Sequence, residues 1–100
     1  MSQKTVYISG AISGEDYTTV LLRFANAKAR LRRKGFVPVS PINNGLAKSA
    51  PYEQHMRKDL QMLLGCDAIY MLRGWERSKG ATIEKAVAYS CGMEIIFEKK

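Results

Sequence analysis

The residue with the most chemical promise is a glutamate set in an apolar stripe. Ala81, Glu84, Ala88 and Cys91 are spaced i, i+3, i+7 and i+10, which is one face of a helix, and the other three are small or apolar. A carboxylate is costly to bury without partners. Glu84 therefore reads either as a charge favoured by the dipole near a helix start or as a reactive carboxylate at the mouth of a crevice. The preceding segment, Gly74-Trp75-Glu76-Arg77-Ser78-Lys79-Gly80, runs straight into that helix. Ser78 and the N–H groups near Gly80 would sit at its positive end, which suits an anion or a polar sugar group. Trp75 would pack over a ligand ring or, equally, into the core or an oligomer contact.

A second glycine-bearing loop reads Ser9-Gly10-Ala11-Ile12-Ser13-Gly14. It lacks the GK[ST] ending of a P-loop and the spacing of GxGxxG. It is a plain tight turn or a loop whose free N–H groups hold a phosphate. Asp59, one position before Leu60, reads from spacing alone as a solvated charge, and Asp67 as a turn residue. His55 is the only histidine, and neither Cys66 nor Cys91 lies in a CxxC pair, which argues against a Cys/His zinc site and a disulfide framework. Both cysteines are expected as reduced, small core residues.

The elements that must position these residues follow from periodicity. Thr5–Ser9, Phe36–Ser40, Ala68–Leu72 and Glu94–Glu98 read as strands, and Pro38 marks the second as an edge strand. Helical patterns start at Thr18, with Thr18 or Thr19 as cap, and run from Tyr52 to Leu64 and from Ala81 to Cys91. The inward face of the second helix is expected to carry Met56, Leu60, Leu63 and Leu64. Alternating β-α-β-α-β-α-β gives a parallel sheet with helices on its faces. Right-handed crossovers then favour strand order 2-1-3-4, a small Rossmann-like or flavodoxin-like three-layer domain spanning residues 1–100. Ligands of such sheets bind beyond the strand C-termini where the chain direction reverses, here at the loops after the first and third strands.

At 100 residues, 46% hydrophobic and 25% charged, the chain suits one globular domain. Its start is polar, with no secretory pattern, and no run approaches the ~20 apolar residues of a membrane span. A cytoplasmic location is expected. The net charge of +7 is concentrated in Arg23, Lys28, Arg30, Arg32, Arg33 and Lys34, with no acid between them. That stretch is a solvated helix face or an attraction for an anion, a nucleotide phosphate or a nucleic-acid backbone.

Taken together, the segments Tyr7–Gly14, Asp59-Leu60 with Cys66–Ile69, and Ser78-Lys79-Gly80 with Glu84, Ala86 and Ala88 resemble the nucleoside 2-deoxyribosyltransferase superfamily. The likeness spans nearly the whole chain and is nearest a short branch met in phage and bacterial genomes, marked by Gly74–Ala81. It implies that Glu84 is the nucleophile that attacks the anomeric carbon and that Asp59 is an acid near the sugar and leaving base. It places Tyr7 and Gly10 at the sugar and base pocket, and Ile12, Ser13 and Ser78 at the 5′ end or a 5′-phosphate. It also implies a small-molecule nucleoside or nucleotide as partner, no metal or organic cofactor, and a homo-oligomer, since a neighbouring subunit often completes the pocket. This chain is shorter than typical members: only Glu98, Lys99 and Lys100 follow the last strand core. Basic Arg77 and Lys79 favour a phosphorylated ligand.

The expected function is cleavage or exchange of the N-glycosidic bond of a 2′-deoxynucleoside or its 5′-monophosphate. Two other readings stand beside it. A nucleotide-binding or sensing module without turnover would need Gly10, Ser13 and Ser78 but not Glu84. A nucleic-acid-binding protein working through the basic first helix is the least favoured of the three.

Overall fold

The computed structural model describes residues 3–99. Met1 and Ser2 of the polar start and Lys100 at the end lie outside the described residues. Four parallel strands, β1 (Thr5–Ser9), β2 (Val37–Val39), β3 (Ala68–Met71) and β4 (Glu94–Phe97), form one sheet in the order β2-β1-β3-β4. Three helices connect them: α1 (Tyr17–Arg33), α2 (Tyr52–Leu64) and α3 (Lys79–Ser90). This is the expected α/β architecture and strand order. Pro38 stands opposite Val6 on edge strand β2, where its missing N–H costs no second ladder.

The alternation of β1 divides the core. Val6 and Ile8 face α1, where Val20, Phe24, Ala27 and Leu31 close an apolar layer with Ala68, Tyr70 and Leu72. Tyr7 faces the other side, with Leu63 of α2, Ala81 and Ala88 of α3, and Ile69 and Met71. Strand periodicity puts Ser9 on that same side. Strand β3 is buried at every position, as its continuous apolar run requires.

Several boundaries differ from the sequence expectation. Helix α1 begins at Tyr17 and is capped by Asp16, whose carboxylate accepts from the Thr19 N–H at 3.0 Å and from its hydroxyl at 2.9 Å. Strand β2 is shorter because Gly35 turns at φ 88° and Ser40 caps a 3-10 turn, Pro41–Asn43. Helix α3 starts two residues early because Ser78 accepts from the Ala81 N–H at 3.1 Å. Cys91 falls at the C-cap of α3 and is exposed, so it is not the core residue expected, whereas Cys66 is half-buried against the core. On α2 Asp59 and Leu63 are buried, Leu60 packs half-buried against the core and half-buried Met56 lines the cavity, as expected of both, while Leu64 is exposed. No helix of the described residues is long and apolar enough to cross a membrane.

Candidate active site

A cavity of about 650 Å³ opens beyond the C-terminal ends of the strands. Its walls are the β1–α1 loop, the β2–α2 loop, the first half of α2 and the N-terminal turns of α3. The cavity takes more from the β2–α2 loop, and less from the β3–α3 loop, than the position of the chain reversal predicted. Gly10, Ile12, Ser13, Asp59, Ser78, Gly80 and Glu84 all line it, together with Arg77 and Lys79.

Glu84 is 5% exposed, one turn into α3. Both its oxygens are held from the sheet. The Tyr7 hydroxyl donates to Oε2 at 2.8 Å and the Ser9 hydroxyl donates to Oε1 at 2.6 Å. Residues 7 and 9 point to the same face of β1, so one short strand supplies both donors on a rigid base. Burial pushes the Glu84 carboxyl up to about 7, against the opposing pull of the Ser9 and Tyr7 hydrogen bonds and with a further push from the charge of Asp59. The Tyr7 phenol is driven strongly upward, chiefly by burial and then by Glu84, so it stays a neutral donor. Tyr7 itself is sealed in the core and does not line the cavity. It touches the site through Glu84.

Asp59 is 9% exposed, which overturns its reading as a solvated charge. It lies three residues after Met56 and four before Leu63, in one helical stripe. The Asn44 amide donates to its Oδ1 at 2.9 Å. Burial raises its carboxyl above the ordinary range, opposed by the Asn44 bond and the nearby His55.

The loop glycines have separate reasons. A Cβ on Gly10 would stand 2.8 Å from Leu72 Cδ1, so the close approach of the β1 end to the β3 end demands glycine. A Cβ on Gly80 would meet nothing nearer than the Tyr52 hydroxyl at 3.5 Å, so packing tolerates a side chain there. Cations ring the mouth: Lys79 and Arg77, with Lys48 held 3.6 Å from the centre of the Tyr17 ring. Arg77 and Arg23 share Glu15 at 3.7 and 3.3 Å.

Trp75 is not at this cavity. Its ring packs against Phe97 at 6.2 Å and lines a smaller hollow with Met71 and Arg73. The 3-10 turn Trp75–Arg77 swings it toward the β4 side. Ser9, Asn44 and His55 were missed by sequence reasoning. Ser9 had a signal, since it sits two residues from Tyr7 on one strand face. Asn44 had only its place in an Asn-Asn-Gly loop. Among the described residues no group of three or more His, Cys, Asp or Glu is placed to hold a metal ion.

Solved structures share this fold. A 2-deoxyribosyltransferase from Bacillus psychrosaccharolyticus superposes with a TM-score of 0.71 at 18% identity, over 93% of this chain and 70% of that one. A 2-deoxyribosyltransferase from Leishmania mexicana gives 0.68 at 26% identity, over 94% and 63%. A CMP N-glycosidase from Clostridium botulinum gives 0.66 at 22% identity, over 94% and 70%. The resemblance to the nucleoside 2-deoxyribosyltransferase superfamily therefore holds at the level of the fold. No curated protein matches the sequence. A family model described as "Domain of unknown function (DUF4406)" matches residues 4–97, and the chain belongs to that family.

Proposed function

We propose that this protein cleaves or exchanges the N-glycosidic bond of a 2′-deoxynucleoside or its 5′-monophosphate, with Glu84 as nucleophile. The observation that carries the reading is the buried Glu84 carboxylate at the cavity floor, gripped through both oxygens by Tyr7 and Ser9. The fold neighbours, named as deoxyribosyltransferases and a CMP N-glycosidase, support an enzyme that works on nucleosides or nucleotides.

In the first step a Glu84 oxygen bonds to C1′ as the C1′–N bond breaks. The bonding pair leaves with the base, and a proton passes from Asp59 to a base nitrogen. A carboxylate held against the sugar stabilises the oxocarbenium-like charge that builds up, as in retaining glycosidases. In the second step Asp59, now ionised, takes a proton from water while the water oxygen displaces Glu84 from C1′. That releases the free sugar or sugar phosphate. A second base in place of water gives exchange.

The two carboxyls need opposite protonation states for this, Glu84 ionised and Asp59 neutral. In the open cavity burial presses harder on Glu84. A base seated over Asp59 completes the desolvation of Asp59 and moves the proton preference toward it. Arg77 and Lys79 at the α3 N-terminus supply charge for a 5′-phosphate.

The test is incubation with each of the four 2′-deoxynucleoside 5′-monophosphates, with free base followed by chromatography and the intact protein by mass spectrometry. Free base and a deoxyribosyl-phosphate adduct on Glu84 are expected. Nucleotide binding with no base released from any of them would favour a sensing module instead.

A further inference from the structure

The β2–α2 loop holds a chain of hydrogen bonds that ends on Asp59. Asn44 is 5% exposed. Its Nδ2 donates to Asp59 Oδ1 at 2.9 Å and lies 3.0 Å from His55 Nδ1, while its Oδ1 accepts from the Leu46 N–H at 3.0 Å. His55 Nε2 lies 3.1 Å from the Ala47 carbonyl oxygen. An amide nitrogen only donates, so His55 Nδ1 must accept, and the imidazole proton sits on Nε2, where it donates to Ala47. One tautomer satisfies every link. Flipping the Asn44 amide would set its oxygen against Asp59 and its NH₂ against the Leu46 N–H, so the orientation is fixed as well.

The loop is built for this. Ser40 and Pro41 open the 3-10 turn that delivers Asn44, and Gly45 at φ 86° turns the chain so that Leu46 N points back at the Asn44 oxygen. On α2, His55 and Asp59 are four residues apart on one face. Asn44 bridges them. Asp59 Oδ2 has no hydrogen-bond partner among the described residues, yet no buried side-chain oxygen is left unpaired there, so Oδ2 is open to the cavity that Asp59 lines.

We propose that Asn44, locked by His55, is a positioning residue that directs the acidic proton of Asp59 onto Oδ2, facing the leaving base. An N–H donated to Oδ1 favours the carbonyl form of that oxygen, which accepts more strongly than a hydroxyl oxygen, so the neutral acid carries its hydrogen on the open oxygen. Asn44 and His55 need not touch the reacting atoms. The proposal rests on the reading of Asp59 as the proton donor given above.

The experiment compares Asn44→Leu with the unaltered protein on two substrates: the 2′-deoxynucleoside 5′-monophosphates, whose bases need protonation to leave, and 4-nitrophenyl 2-deoxyriboside 5-phosphate, whose phenolate does not. A lost general acid costs about 10²–10⁴-fold, and a misaimed one less. The expected loss in kcat/KM, which reports the steps up to departure of the leaving group, is about 10- to 100-fold on the nucleotides and at least ten times smaller on the nitrophenyl substrate. His55→Leu should show the same contrast at a smaller scale, and serves alone if Asn44→Leu does not fold. Equal losses on both substrates would overturn the proposal. If the unaltered protein cleaves neither substrate, the proposed function fails and the hydrogen-bond chain is judged by NMR. A neutral His55 ring protonated on Nε2 alone, with the Asp59 midpoint moved upward in Asn44→Leu, supports it. A proton on Nδ1, or an unmoved Asp59 midpoint, sinks it.

Discussion

The two buried carboxylates of the cavity are anchored in different ways. Glu84 is gripped at both oxygens by hydroxyls from two positions of central strand β1. Asp59 is held at one oxygen, by an amide from an irregular loop. The first anchor is as stiff as the sheet and moves only if β1 moves. The second shifts with the loop and leaves one oxygen open. A nucleophile needs a fixed line of attack, whereas a group that gives and takes protons needs one free oxygen and some latitude. The contrast suits the roles proposed for the pair.

The most forceful way to break the comparison is to remove the gripped carboxylate. Glu84→Ala should lower base release by about 10³-fold or more, since loss of a nucleophile removes the covalent route. A variant as active as the parent would end the assignment. The next effect is on stability. Folded Glu84 keeps its proton up to about 7 against an ordinary value of 4.5, so unfolding releases a proton between those values. Stability is full below about 4.5 and falls as pH rises to about 7, by about 3 kcal/mol from this group. Denaturant titrations from pH 4.5 to 8 should show that decline, and Glu84→Gln should flatten it. A parent protein that grows more stable over this range would contradict the burial argument.

Smaller changes sharpen the comparison. Ser9→Ala removes one O–H donor from the ionised form and should push the Glu84 midpoint further up. The rising limb of kcat, which Glu84 sets once the substrate is seated, should then move to higher pH, with a loss of about 10-fold on the acid side of that limb. Tyr7→Phe should do the same to a lesser degree, the Ser9 bond being the shorter of the two. The smallest effect belongs to Trp75→Ala. Its ring lies against Phe97 and away from the cavity. KM for a nucleotide should change less than about 2-fold, while thermal unfolding drops by a few degrees for the lost packing.

Legibility varied along the chain with the kind of signal. Strand β1 and helix α2 have the ends their periodicity announced. By its type and place Ser78 is a polar group at a helix end, and in the fold it is the cap that starts α3 two residues early. Trp75 could not be placed because a large aromatic fits a ligand pocket and a packing contact equally well. Cys91 fits the α3 stripe by spacing, but the helix ends one residue short of it.

Glu84 shows what the sequence by itself determined. A carboxylate three residues into an apolar stripe, beside a helix start in an alternating α/β pattern, has few places to go but the mouth of the sheet. Periodicity and chain topology are local and combinatorial, and a single sequence carries both. Asp59 shows what only tertiary structure decided. Its spacing is compatible with either face of α2, and its burial depends on how that helix leans on the sheet and on a loop amide fifteen positions away in the chain. Ser9 and Asn44 acquired their partners the same way, by packing that joins distant segments. Hydrogen bonds across such distances are set by the closed fold, because no periodicity links their ends.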